Sequence, residues 1–126
     1  MKARPIKKEL LTFNRCMELY KKARYCKTIR TKAVRLANNT YLYQHLTYFS
    51  VLLHQTDIID IFPDKWVLRN GGWCTPTTKE RINAFSPITV WQYEYEWLYS
   101  FHGEQEVFNF ENGLTISKYD ILEQLI

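Results

Sequence analysis

Arg69-Asn70-Gly71-Gly72-Trp73-Cys74-Thr75-Pro76-Thr77-Thr78-Lys79-Glu80-Arg81-Ile82-Asn83-Ala84-Phe85 joins two stretches rich in Tyr, Trp and Phe that both read as strands. Gly71-Gly72 gives a turn access to backbone angles closed to other residues, and Trp73 follows as a large anchor. Thr77 stands three residues before Glu80, the spacing of a capping box in which hydroxyl and carboxylate satisfy the free amides of a helix start. Pro76 suits a chain entering a helix, and Ser86-Pro87 closes it, so a short helix is predicted from about Thr78 to Phe85. One brief helix set after Trp73, between strand-forming regions, points to an α+β fold.

Upstream, Thr40 to His45 and Tyr48 to His54 alternate in polarity, with Phe49, Val51 and Leu53 on one face of a strand. Asp57 to Phe62 continues the pattern, Pro63-Asp64-Lys65 reads as a turn, and Trp66 to Arg69 returns as its partner. These are meander hairpins of a mainly antiparallel β-sheet. Downstream, Trp91, Tyr93, Tyr95, Trp97, Tyr99 and Phe101 take every second position from Ile88 to Phe101. That run is predicted as one long half-buried strand, bent or bulged within. His102-Gly103 turns the chain, and Glu106 to Phe110 and Leu114 to Ser117 flank Asn112-Gly113, a hairpin signal. Tyr119 to Ile126 is expected to add one or two helical turns. Offset by 48 residues, Phe49 to Leu68 aligns with Trp97 to Ile116, which reads either as two similar three-strand units or as strands that merely share a period.

Before the sheet, Ile6, Leu10, Phe13, Met17 and Tyr20 recur at helical spacing, predicting an amphipathic helix from about Pro5 to Tyr25 packed on the sheet. From Cys26 to Leu36 the pattern fits either a continued helix or a strand; a break near Lys27 and a strand over Ala33 to Leu36 are favoured. Asn38-Asn39 is a turn signal. The expected arrangement is one domain over 1–126, with a basic helical arm (1–36) and an acidic, aromatic-rich β body (37–126).

Charge supports that division. Residues 1–36 hold twelve Lys or Arg against two Glu, a net +10, whereas residues 37–126 hold five basic against eleven acidic side chains, a net −6. The aromatic share is 16%, and no apolar run reaches the length of about 18 residues that crosses a bilayer. The charged N-terminus lacks the apolar core of a signal peptide, so an intracellular chain without membrane contact is expected. Cys16, Cys26 and Cys74 are odd in number and lack Cys-x-x-Cys spacing, which fits free thiols rather than a disulfide framework.

Asn39-Thr40-Tyr41-Leu42, Leu53-His54-x-Thr56-Asp57-Ile58-Ile59, Pro63-Asp64 and Gly71-Gly72-Trp73-x-Thr75-x-Thr77-Thr78-Lys79-Glu80-Arg81-Ile82-Asn83 together resemble a family of small bacteriophage and prophage proteins with no assigned activity. The resemblance covers about Asn38 to Phe85. It implies an accessory protein of a phage or mobile element acting in the cytoplasm of a bacterial host.

The functional clue is the basic segment: Lys7, Lys8, Arg15, Lys21, Lys22, Arg24, Lys27, Arg30, Lys32 and Arg35, with Tyr20 and Tyr25 among them. Cations that neutralise phosphates, with rings that stack on bases, form a nucleic-acid footprint. Docking on an acidic protein, or on the chain's own acidic body, is the competing reading. A second candidate is an anion or loop site at Gly71, Gly72, Thr77, Thr78, Lys79 and Arg81, where a helix start offers free amides; there the alternative is that hydroxyls and Asn83 pin the loop. A metal-dependent nuclease built on Asp57, Asp60 and His54 is weakened because Asp57 and Asp60, three apart on a strand, should face opposite sides. No catalytic residue, metal or cofactor is assigned. The expectation is a non-enzymatic protein that engages nucleic acid or a host nucleoprotein complex, acting as an inhibitor of a host defence system in the manner of an anti-CRISPR. The alternatives are a protein-only inhibitor or assembly factor with an aromatic interface, homo-oligomeric in one version, and the small nuclease.

Overall fold

Leu11, fully buried, is where the chain meets its core, and it does so in extended backbone. In the computed structural model, which describes residues 6–72 and 75–125, the segment before it runs beside the end of a later helix. Glu9 and Leu11 donate their backbone N–H groups to the carbonyls of Ala84 and Phe85, at 2.8 and 3.0 Å. The Leu11 carbonyl accepts the Trp66 indole N–H at 2.9 Å. These partners compete with helix formation, so the predicted helix over Pro5 to Tyr25 shrinks to α1, Phe13–Tyr20. Thr12 caps it, its hydroxyl accepting from the Arg15 N–H at 3.2 Å. Phe13 and Tyr20 pack edge-on against Phe49, Cys16 is buried between them, and Met17, expected on the apolar stripe, is exposed. Pro5, the expected helix start, lies outside the described residues.

After α1 the arm forms two short strands joined by a turn, the second taking in the strand favoured over Ala33 to Leu36. β1 (Arg24–Cys26) and β2 (Thr31–Ala37) form a hairpin, followed by β3 (Thr40–Gln44), β4 (Phe49–Leu53), β5 (Thr56–Ile61) and β6 (Lys65–Leu68). With β10 (Leu114–Ser117) they make one antiparallel sheet in the order β1-β2-β3-β4-β5-β6-β10. The meander from β3 to β6 follows the predicted strands closely. Asn39 turns with φ 55°, the left-handed angle Asn tolerates.

Between the sheets comes α2, Pro76–Phe85. Its cap is Thr75, whose hydroxyl accepts the Thr78 N–H at 3.3 Å, with Pro76 in the first turn. The predicted Thr77–Glu80 capping box does not form: Glu80 instead pairs with Arg81 at 2.6 Å. Asn83 bonds both the N–H and the carbonyl of Val90, tying the helix to the next strand. Trp73, the expected anchor, and Cys74 lie outside the described residues.

The aromatic run is not one strand but a hairpin, β7 (Ile88–Tyr93) and β8 (Glu96–Phe101), turning at Glu94-Tyr95. β9 (Phe108–Asn109) pairs with β8 to complete a three-stranded sheet. The chain then crosses to the large sheet, so Asn112-Gly113 closes no hairpin. The Asn112 side chain accepts from the Asn70 N–H at 2.7 Å, and the Gly113 N–H donates to Leu68 at 2.9 Å. The supposed repeat separates accordingly: β4, β5 and β6 are neighbours, whereas β8 and β9 stand in one sheet and β10 in the other. α3, Lys118–Leu125, ends the fold as expected. Both sheets, α1 and α2 contribute to a shared core that includes Phe49, Ile59, Leu68, Ile82, Val90 and Trp97. Among the described residues, no helix is long and apolar enough to cross a membrane.

Candidate nucleic-acid interface

From Lys21 to Arg35 the chain carries seven Lys or Arg and no Asp or Glu. The fold makes this stretch the exit of α1 and the β1–β2 hairpin, at a free edge of the large sheet. A three-residue edge strand flanked by cations is a common way to keep an unpaired edge from recruiting other strands. Lys21, Lys22, Arg24, Lys27, Arg30, Lys32 and Arg35 are all exposed, and among the described residues none of them forms an ion pair. Tyr25 sits opposite Lys32 in the ladder, with 66% of its surface exposed. Arg35 is partly committed, bonding the Asn38 side chain at 2.6 Å.

The other three predicted cations behave differently. Arg15 is held by Glu9 and Glu18, and those carboxylates raise its already high pKa. Lys7 and Lys8 are exposed but lie on the extended segment beside the end of α2, not on the hairpin.

The second candidate comes apart. The Gly71 and Gly72 amides are taken by the side chains of Asn112 and Asn70, at 3.3 and 2.9 Å. Buried Arg81 turns toward the β2–β3 turn, donating to the Thr40 hydroxyl at 2.8 Å and the Asn38 carbonyl at 3.3 Å. Lys79 lies over the Trp97 ring, 5.6 Å from its centre. Thr77 and Thr78 alone face an open groove of about 810 Å³, shared with Asn39, His54, Gln55 and Asn70. Loop pinning therefore accounts for most of the cluster.

Sequence reasoning missed a polar network on the outer face of the large sheet. A β-bulge between β4 and β5 places Asp57 opposite Leu52 and Asp60 opposite Ser50. Leu52 and Ser50 are two apart on one strand, so both carboxylates point the same way, contrary to the simple alternation. The Tyr43 hydroxyl donates to Asp57 at 2.7 Å, the Ser50 hydroxyl to Asp60 at 2.7 Å, and Arg69 pairs with Asp60 at 2.5 Å. His45 lies 2.9 Å from the Ser50 hydroxyl and 3.9 Å from Asp57. Burial pushes the Asp57 carboxyl up, a rise opposed by the Tyr43 bond; burial and Asp57 push the Tyr43 phenol up. No sequence pattern announces a bulge at Ile58, so the network had no visible signal.

Beside it, His45 stacks on Tyr48 and Tyr48 on Phe62, with centroids 4.3 and 4.5 Å apart, and Lys65 covers Phe62. The ring faces are thus occupied by one another, which leaves no platform for bases there. His54 occupies the β4–β5 turn rather than joining Asp57 and Asp60, and His102 is bonded through both ring nitrogens to Thr89 and Ser86. Among the described residues, no group of three or more His, Cys, Asp or Glu is placed to hold a metal ion.

Comparison with curated proteins and with solved structures gives no match. Residues 20–117 match the family described as Kyanoviridae Gp96 protein. The match is wider than the Asn38 to Phe85 stretch that suggested a phage family, and it takes in the whole β1–β2 hairpin. A match over most of the chain settles membership: this chain belongs to the Kyanoviridae Gp96 family of bacteriophage proteins.

Proposed function

We propose that this phage protein is a non-enzymatic binding protein that engages nucleic acid, or a host nucleoprotein complex, through the basic β1–β2 hairpin. The observation that carries the reading is the run of seven exposed cations, with no acidic residue among them, at the exit of α1 and on the edge hairpin. Phosphates supply the matching array of negative charge, and displaced counterions drive the association. Tyr25, exposed opposite Lys32, adds a ring able to stack on an unpaired base. The host-directed part of the proposal, inhibition of a defence system, draws support from the phage family alone.

Filter binding of single- and double-stranded DNA and RNA across a salt series tests it. Binding is expected to weaken with log-log slopes of about −0.7 per neutralised phosphate on single strands and about −0.9 on duplex. Absence of binding to all four at low salt would remove the nucleic-acid reading.

A further inference from the structure

Five of the eleven acidic residues of the body share one region of the fold. Residues 82–117 contain five Glu and no Lys or Arg, and they form the end of α2, the small sheet and β10. The tip of this region is the β7–β8 turn, where Glu94 and Tyr95 have φ of 48° and 72°. A two-residue turn with both centres left-handed is made at least cost by Asn-Gly. Glu-Tyr accepts strain there, and strained backbone at an exposed position points toward function. The turn displays Tyr95 at 98% exposure and Tyr93 at 64%.

Cross-strand pairing places Tyr93 with Glu96 and Trp91 with Leu98, so these four share the face of the small sheet opposite Val90 and Tyr99, which enter the core. Trp91 and Leu98 are half-buried, Tyr93 and Tyr95 stand free, and Glu94 and Glu96 edge the patch. Aromatic residues ringed by charge match the anatomy of a protein interface. The charge it asks for is positive, and the same chain carries that surface at its other end. On the β1–β2 hairpin, exposed Tyr25 lies among Lys27, Arg30 and Lys32, with no carboxylate in the stretch.

We propose that the protein associates head to tail, the β1–β2 hairpin of one copy docking on the Tyr93/Tyr95 face of a second. Where the second copy does not return the contact, each copy keeps one face free and the association extends into rings or open strings. One consequence rests on the proposed nucleic-acid function: the hairpin cannot hold both occupants, so nucleic acid dissolves the assembly. Self-association itself does not depend on that function.

Sedimentation velocity of nuclease-treated protein at about 50 mM and about 500 mM salt is the test. The mass of the parent protein is expected to rise with concentration at low salt and to fall toward the monomer at high salt. Lys27→Glu with Arg30→Glu, Glu94→Lys with Glu96→Lys, and Tyr93→Ala with Tyr95→Ala should each give monomers with an unchanged circular-dichroism spectrum. Mixing the two charge-reversed proteins should restore association, because each supplies the face that the other lacks. A parent protein monomeric at every concentration, or charge-reversed variants that stay apart when mixed, overturns the proposal. Filter binding of the Glu94→Lys, Glu96→Lys protein, which keeps the basic hairpin, reports on nucleic acid separately.

Discussion

Asp57 shows how one misplaced residue in a ladder creates chemistry. The bulge turns its carboxyl onto the face of Asp60, where Tyr43, Asp60, His45 and Arg69 surround it. Burial is the largest influence and raises its pKa above the ordinary 3.8; Asp60 raises it further, and Tyr43, His45 and Arg69 oppose the rise. A carboxyl with a raised pKa holds its proton more tightly in the folded state than in the unfolded chain. Its contribution is full below the ordinary value and is lost as pH rises through the folded pKa. Asp57→Asn keeps an acceptor for Tyr43 without the ionisation, so the variant's thermal midpoint should gain on the parent's as pH climbs from 3.8 toward neutrality. A constant difference across that range would show that burial does not govern this carboxyl. The two described thiols diverge because burial governs one and hydrogen bonding the other. Burial pushes Cys16 up to about 12, while backbone N–H donors, Ile29 foremost, lower Cys26. The thiolate is the nucleophile, so iodoacetamide at neutral pH should modify Cys26 well before Cys16 in the native protein, read by peptide mass mapping. Equal rates would contradict this placement of the two side chains.

At the scale of elements, the capping of α2 separates two neighbouring threonines. Thr75→Ala should cost about 1 kcal/mol in chemical denaturation, whereas Thr77→Ala, on the groove side, should stay within about 0.5 kcal/mol. Reversed magnitudes would restore the Thr77–Glu80 capping box. The same contrast explains what could be read beforehand. The β3 to β6 meander was legible because polarity alternates between strong turn formers, Asn38-Asn39 and Pro63-Asp64 among them. The β7–β8 hairpin was hidden because Glu94-Tyr95 carries no turn signature and the aromatic spacing runs straight through it. In the folded hairpin, odd positions of β7 pair with even positions of β8, so Trp91 and Tyr93 lie on the opposite face from Trp97 and Tyr99. α1 is shorter than its periodicity predicts because helical spacing from Ile6 onward carries no information about the carbonyls of Ala84 and Phe85, which capture Glu9 and Leu11. Asn112-Gly113 was a true turn signal, but it joins two sheets instead of two partner strands.

Over the whole molecule, the division of charge was legible by counting, whereas its form was not. Positive charge expected on a mainly helical arm is carried largely by an edge hairpin, and five of the eleven acidic residues of the body fall between residues 82 and 117, on and around the small sheet. Of ten cations assigned to the interface, five lie on the hairpin, Lys21 and Lys22 come just before it at the exit of α1, Lys7 and Lys8 stand on another segment, and Arg15 is spent on Glu9 and Glu18. That distribution makes the account specific enough to fail. The deciding measurement is the salt dependence of oligonucleotide binding, followed by fluorescence anisotropy, in two variants of the same protein. Lys27→Ala with Lys32→Ala should flatten the log-log slope by about one for each lost contact, while Arg15→Ala should leave it unchanged. Equal slopes in parent and hairpin variant, or a loss confined to Arg15→Ala, would contradict the assignment of binding to the β1–β2 hairpin.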